Sequence, residues 1–249
     1  MLFFRMKNYI YERIKKFRKN VIKFRKMFDK NVLFSIGENC LADNILARNG
    51  LKSFSSPYAS ARSNIEYILS FENEKFNDFL NDEFLFYENY SQNNAPINKK
   101  YVDVKNNYHN SCSKGFEFTH HNVKDNISDR NKISKRCNRL LKLRNRNIIM
   151  LYHHRYCENT DLNLLISNLT QLAEIYKNRK NNVNIFLFTQ IIVPEINDRH
   201  IENYIQNDIN VYKFYTTKIW AGDDEEILWA KCDDDLLNSM IIDIKSKLI

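Results

Sequence analysis

Glycine and proline are scarce in this 249-residue chain, with four of the first and three of the second. So few leave no room for long flexible or rigid linkers, and no internal domain boundary announces itself. Neither Gly-x-Gly-x-x-Gly nor Gly-x-x-x-x-Gly-Lys occurs, which disfavours a phosphate cradle and a nucleotide-dependent enzyme; no cofactor is expected. There is no Cys-x-x-Cys. The five cysteines, Cys40, Cys112, Cys137, Cys157 and Cys232, are odd in number and widely spaced, so neither a disulfide framework nor a zinc ribbon is indicated. An uncharged apolar run of signal-peptide or membrane-span length is also missing, because Arg5 and Lys7 interrupt the sequence straight after Leu2-Phe3-Phe4. These absences point to a reducing, cytoplasmic setting.

The chain does contain ample material for a core, being 43% hydrophobic and 13% aromatic. That suffices for one domain of ordinary size. The formal charge of +8 is unevenly placed: residues 1–30 carry +9, and the remaining 219 residues sum to −1. Within that arm Ile10, Ile14, Phe17, Val21, Phe24 and Phe28 recur at spacings of four and three, which predicts a helix with one apolar stripe and cationic flanks. Such a helix packs on its own domain, pairs with a partner, or lies on anionic lipid at the inner face of the membrane. Nucleic acid is not expected, since the charge stops at the arm and no recognition module follows. The expected organisation is therefore a basic amphipathic helical arm, 1–30, and one domain, 31–249.

In the body, short β-like runs alternate with helical patterns, predicting an α/β or α+β domain. Strands are expected at Val32–Ile36, Glu117–His121, Ile148–Tyr152, Val183–Thr189 and Val211–Tyr215. Helices are expected at Cys40–Arg48, Ser63–Phe71, Lys132–Leu143, Leu162–Asn178, Arg199–Asn207 and Glu225–Lys247. The polar segment from Tyr87 to Gly115 reads as a surface excursion bordering the site.

The most informative stretch is Ser35-Ile36-Gly37-Glu38-Asn39-Cys40, which sets a cysteine between a short apolar strand and a helix start. Gly37 permits a tight turn there, and the free amides of a first helical turn favour negative sulfur and a nearby oxyanion. Asn49-Gly50-Leu51-Lys52-Ser53-Phe54-Ser55-Ser56-Pro57-Tyr58 and a helix with Asn64-Ile65 and Ile68-Leu69 follow. Together they resemble a bacterial family of unknown function described as putative papain-like cysteine peptidases. That family's pattern opens with Ser-Leu-Gly-x-x-Cys, continues through Gly-Leu-Arg-x-x-Ser-x-Pro-Phe-Asp-Trp, and later has an aromatic-x-His-Asp stretch before a basic helix. Phe118-Thr119-His120-His121 and the helix around Arg136 and Arg139 fall where those last parts belong. The chain departs from the pattern at Ala59-Ser60, where the family has Asp-Trp, and at His121, where it has an acid.

The resemblance implies a papain-like domain, a central sheet flanked by helices, with Cys40 as nucleophile and His120 as its base. An imidazole is the usual proton acceptor for a thiol. On a regular strand His121 would point to the opposite face. Asn39 and the Cys40 amide are candidates for the oxyanion hole, although Asn39 serves equally as a helix cap. Asn122, Asp125, Glu158 and Asn159 are open candidates for orienting the imidazole. Pro57, Tyr58, Arg136 and Arg139 are candidates for contacting substrate, the two arginines as a fork or else as a solvated face. His153, His154 and Cys157 with His120 or His121 offer a zinc reading, but their spacing matches no established pattern; no metal is expected. The function expected is peptide hydrolysis or a related cysteine-dependent acyl transfer to or from an unknown peptide or acyl substrate. The alternative is a non-catalytic or sugar-acyltransferase protein of envelope polysaccharide assembly, peripheral to the membrane, which the missing Asp-Trp favours.

Overall fold

The computed structural model describes residues 30–248. The expected amphipathic arm therefore lies, but for Lys30, outside the described residues. Five strands make the main sheet: β1 (Asn31–Gly37), β5 (Asn147–His154), β6 (Asn182–Ile192), β8 (Ile209–Thr216) and β7 (His200–Gln206), in that order. The first four run parallel and β7 is antiparallel at one edge. A smaller antiparallel sheet joins β2 (Leu85–Tyr87), β3 (Pro96–Asn98) and β4 (Phe116–Glu117). The mixed α/β architecture, a central sheet flanked by helices, is the one expected.

Alternation along the strands supplies both faces of the sheet. Val32, Phe34 and Ile36 of β1 and Ile148, Met150 and Tyr152 of β5 point to a layer formed by α2 (Ile65–Asn73), α3 (Ile127–Leu141) and α4 (Leu162–Lys177). Leu33, Ile149 and Leu151 point the other way, onto α1 (Leu41–Arg48) and α6 (Asp234–Ser246). Burial on both sides explains why β5 reads as a continuous apolar run. Under the small sheet, Tyr58, Phe71, Phe79 and Phe116 meet mostly edge to face, with ring centroids 4.8 Å apart for Phe71–Phe79 and Phe79–Phe116.

Three expected elements differ. The helix expected at Arg199–Asn207 is strand β7: Asn207 and Asp208 both adopt left-handed φ, 50° and 63°, and turn the chain into β8 as a two-residue hairpin. The strand expected at Glu117–His121 stops at Glu117, and the amide of His121 closes a turn on the Phe118 carbonyl at 2.8 Å. The final expected helix is broken into α5 (Glu225–Leu228) and α6, because Ala230 is left-handed (φ 56°) and the buried Asp233 carboxylate is held by Trp220 Nε1 and Arg199. No helix among the described residues is long and apolar enough to cross a membrane.

Candidate functional site

At the carboxyl end of β1 the chain must leave the sheet beside β5. Gly37 makes this exit at φ 136°, and a Cβ there would lie 3.0 Å from the Tyr152 ring and 3.3 Å from the His153 amide. A side chain is thus opposed twice, by a strained backbone conformation and by tight space. Glu38 then dives into the protein, fully buried. Its carboxylate accepts from Tyr152 Oη at 3.1 Å, His154 Nδ1 at 2.6 Å and the Arg155 amide at 2.9 Å. His154 Nε2 lies 3.1 Å from Thr160 Oγ1, which also accepts from the Cys157 amide at 2.9 Å. The turn carrying the cysteine is consequently bolted to the end of β5.

Cys40 occupies the position just before α1, with its sulfur 3.7 Å from Nε2 of His120. His120 reaches it from the turn after β4 and is solvent-exposed. His121 faces α3 instead, its Nδ1 3.7 Å from Asp129 without a hydrogen bond. The Cys40 thiol is not lowered in pKa, as its helix-start position suggested, but pushed up to about 11. Burial is the main cause and Asp43 the second, while Arg62 and Lys52 pull the other way. Asp43 is itself held by Ser35 Oγ at 3.0 Å and Lys52 Nζ at 2.6 Å. At neutral pH the resting group is a thiol.

The other expected site residues are spread around this pair. Asn39 Oδ1 accepts from the Leu41 amide at 3.0 Å and lies 3.3 Å from His153 Nδ1, so its oxygen caps α1. Asn122 and Asp125 bond the Tyr87 hydroxyl, and Glu158 and Asn159 are exposed in the turn before Thr160; none of the four hydrogen-bonds His120. Pro57 and Tyr58 are buried, and Tyr58 gives its hydroxyl to Glu72 at 3.1 Å, so these two belong to the core and not to a substrate surface. Arg136 reaches the Ser56 carbonyl at 3.4 Å, whereas Arg139 stacks over Phe54 at 4.8 Å; the two do not form a fork. His153, His154 and Cys157 are each engaged separately, and no grouping suited to a metal ion occurs among the described residues.

Sequence reasoning did not single out Glu38, Arg62 or Glu117. Arg62 and Glu117 exchange backbone hydrogen bonds at 3.0 and 2.9 Å, and their side chains approach to 3.8 Å next to the Cys40–His120 pair. Burial pushes the Glu117 carboxyl up, against the pull of Arg62 and His120. An acid set between two aromatics, Phe116-Glu117-Phe118, three residues before the histidine is the signal the sequence carries. A family model described as putative papain-like cysteine peptidase, of unknown function, matches residues 31–193, more than half of the chain. No curated protein and no solved structure matches.

Proposed function

The chain belongs to this putative papain-like cysteine peptidase family, and from that membership we propose that it is a cysteine-dependent hydrolase or acyltransferase, with Cys40 as nucleophile and His120 as general base. The observation that carries the reading is the 3.7 Å approach of the Cys40 sulfur and His120 Nε2, eighty residues apart in sequence. Because the thiol sits at about 11, the proton passes to His120 as sulfur bonds to the substrate carbonyl, not beforehand. Arg62 and Lys52 stabilise the charge that grows on sulfur. The Cys40 amide and the side-chain amide of Asn39, whose oxygen is already committed to the helix, are the donors proposed for the developing oxyanion. Collapse breaks the bond to the leaving group, which takes the proton from the imidazolium and leaves a Cys40 thioester. Water or another acceptor then attacks with His120 again as base.

Intact-mass analysis after mixing with an activated acyl ester tests this. Stoichiometric acylation mapped to Cys40, absent from Cys40→Ala and slowed in His120→Ala, is the expected result. Acylation elsewhere, or at an equal rate in His120→Ala, would overturn it.

A further inference from the structure

Beside the nucleophile turn, at the carboxyl ends of β5 and β6, lies a cavity of about 460 Å³. This is within the range of small-molecule sites. Trp220 and Ile192 line it with His153, His109 and Arg155, and Ile219 stands at its half-open rim. The wall is prearranged: Gln190 accepts from the Trp220 amide at 3.0 Å and donates to Thr216 and the Lys218 carbonyl, and Trp220 Nε1 is tied to Asp233 at 2.8 Å. With those groups satisfied, the polar character left for a ligand is small and specific. Among the described residues the Arg155 guanidinium makes no hydrogen bond or ion pair; only its backbone amide is used. His109 Nδ1 accepts from the Ser111 amide at 3.2 Å, which assigns its proton to Nε2. His153 Nδ1 faces Asn39 Oδ1, an acceptor, which assigns its proton to Nδ1 and leaves Nε2 as an acceptor.

Among the described residues the cavity thus offers one cation without an ion-pair partner and a neutral N–H donor for an anion, an imidazole acceptor for an N–H or O–H, the Tyr156 hydroxyl, and apolar walls for a stem. Asn39, which contacts its wall, immediately precedes Cys40. We infer that this cavity binds the anionic end of the acyl group presented to Cys40, a carboxylate on a short apolar stem held by Arg155. The name acyl group rests on the proposed role of Cys40; the carboxylate preference does not. An acidic residue of a peptide and a dicarboxylic acyl chain share this chemistry.

The test is calorimetric binding to Cys40→Ala protein, which cannot turn the probes over. One arm compares glutaric acid monoanilide with its neutral glutaramide analogue, and a second compares acetyl-glutamate anilide with acetyl-glutamine anilide. In at least one arm the carboxylate should bind about tenfold tighter or more, as a charge-assisted Arg contact warrants. Arg155→Gln should erase that preference and Arg155→Lys should keep part of it. Ile219→Glu, a change at an exposed position that leaves packing alone, should weaken the carboxylate probes selectively. Equal binding of acid and amide in both arms, a preference that survives Arg155→Gln, or no binding by any probe overturns the inference. If the preference is found while wild-type protein shows no Cys40 acylation, it is the catalytic reading that fails and not the site.

Discussion

Two pairs of adjacent histidines flank the nucleophile turn, and they are held in opposite ways. His153 and His154 end β5, so strand alternation sends one to the cavity face and the other to Glu38, both buried, with Nδ1 of His153 and both ring nitrogens of His154 engaged. His120 and His121 sit on a turn beyond a two-residue strand; one is exposed against the thiol and the other half-buried against Asp129. The strand-held pair fixes where Cys40 is. In the proposed reading the turn-held pair supplies the base, His120, which solvent reaches and whose Nε2 lies 3.7 Å from the thiol. On that reading, position and proton transfer fall to different histidines.

That division can be broken most forcefully at His120. Replacing it with alanine should lower acylation of Cys40 by roughly 10²–10⁴-fold, the usual worth of a positioned base, with little change in denaturation midpoint. His121→Ala should leave acylation within about threefold, since a side chain without a hydrogen bond has little to lose; a reversed pattern would exchange their roles. Glu38→Ala probes the other pair. Deleting the carboxylate strands His154, the Tyr152 hydroxyl and the Arg155 amide without their acceptor, and removing one partner from a buried charged network costs about 3–5 kcal/mol. Urea denaturation should show this loss, with Glu38→Gln milder because one oxygen acceptor remains. A loss under about 1 kcal/mol would mean that Glu38 does not bolt the turn.

How much of this was legible beforehand follows from the range of each interaction. Strands β1, β5 and β6 declare themselves because burial on both faces makes them mostly apolar runs, β8 because its apolar residues alternate with less buried ones, and Gly37 declares the turn. β7 does not, for Ile201, Tyr204 and Ile205 imitate a helical spacing on an edge strand, and Asn207-Asp208 is the one local mark of the hairpin. The Cys40–His120 pairing was reached through the resemblance and not through local pattern. Glu38 stayed invisible because its partners lie more than a hundred residues away and meet it only through the parallel pairing of Gly37 with His153. Asp43, three residues on from the cysteine, is within reach of it by helical spacing alone, so the charge that opposes ionisation is legible in the sequence.

The resting thiol sharpens the contrast further. Unfolded, Cys40 ionises at its ordinary value of 9.0; folded, it keeps its proton until about 11. Its contribution to stability is therefore present below pH 9 and is lost as pH rises through about 11, by about 3 kcal/mol at most. Denaturation of wild type and Cys40→Ala between pH 8 and 11 should show the wild type losing more, and parallel curves would refute a raised thiol. For the same reason iodoacetamide should alkylate Cys40 at pH 7 no faster than the exposed Cys232, although activated esters acylate it selectively.

The smallest effect isolates the electrostatics of the corner. Asp43→Asn removes the acid that ranks second to burial in holding the Cys40 thiol up, and leaves the opposing pull of Arg62 and Lys52 in place. The change lowers the thiol's pKa. Should that shift be about one unit, the thiolate fraction rises about tenfold, but a less basic thiolate is a weaker nucleophile by a Brønsted factor of about 0.4–0.5, leaving a gain of roughly threefold. Carbamidomethylation of Cys40 at pH 8, read by mass with Cys232 of the same molecule as reference, measures it. The reference is apt because Cys232 owes its raised value to burial and Asp233, which the substitution does not touch. A threefold gain would show that the corner is tuned by a removable charge; an unchanged or slower rate would leave burial as the sole cause.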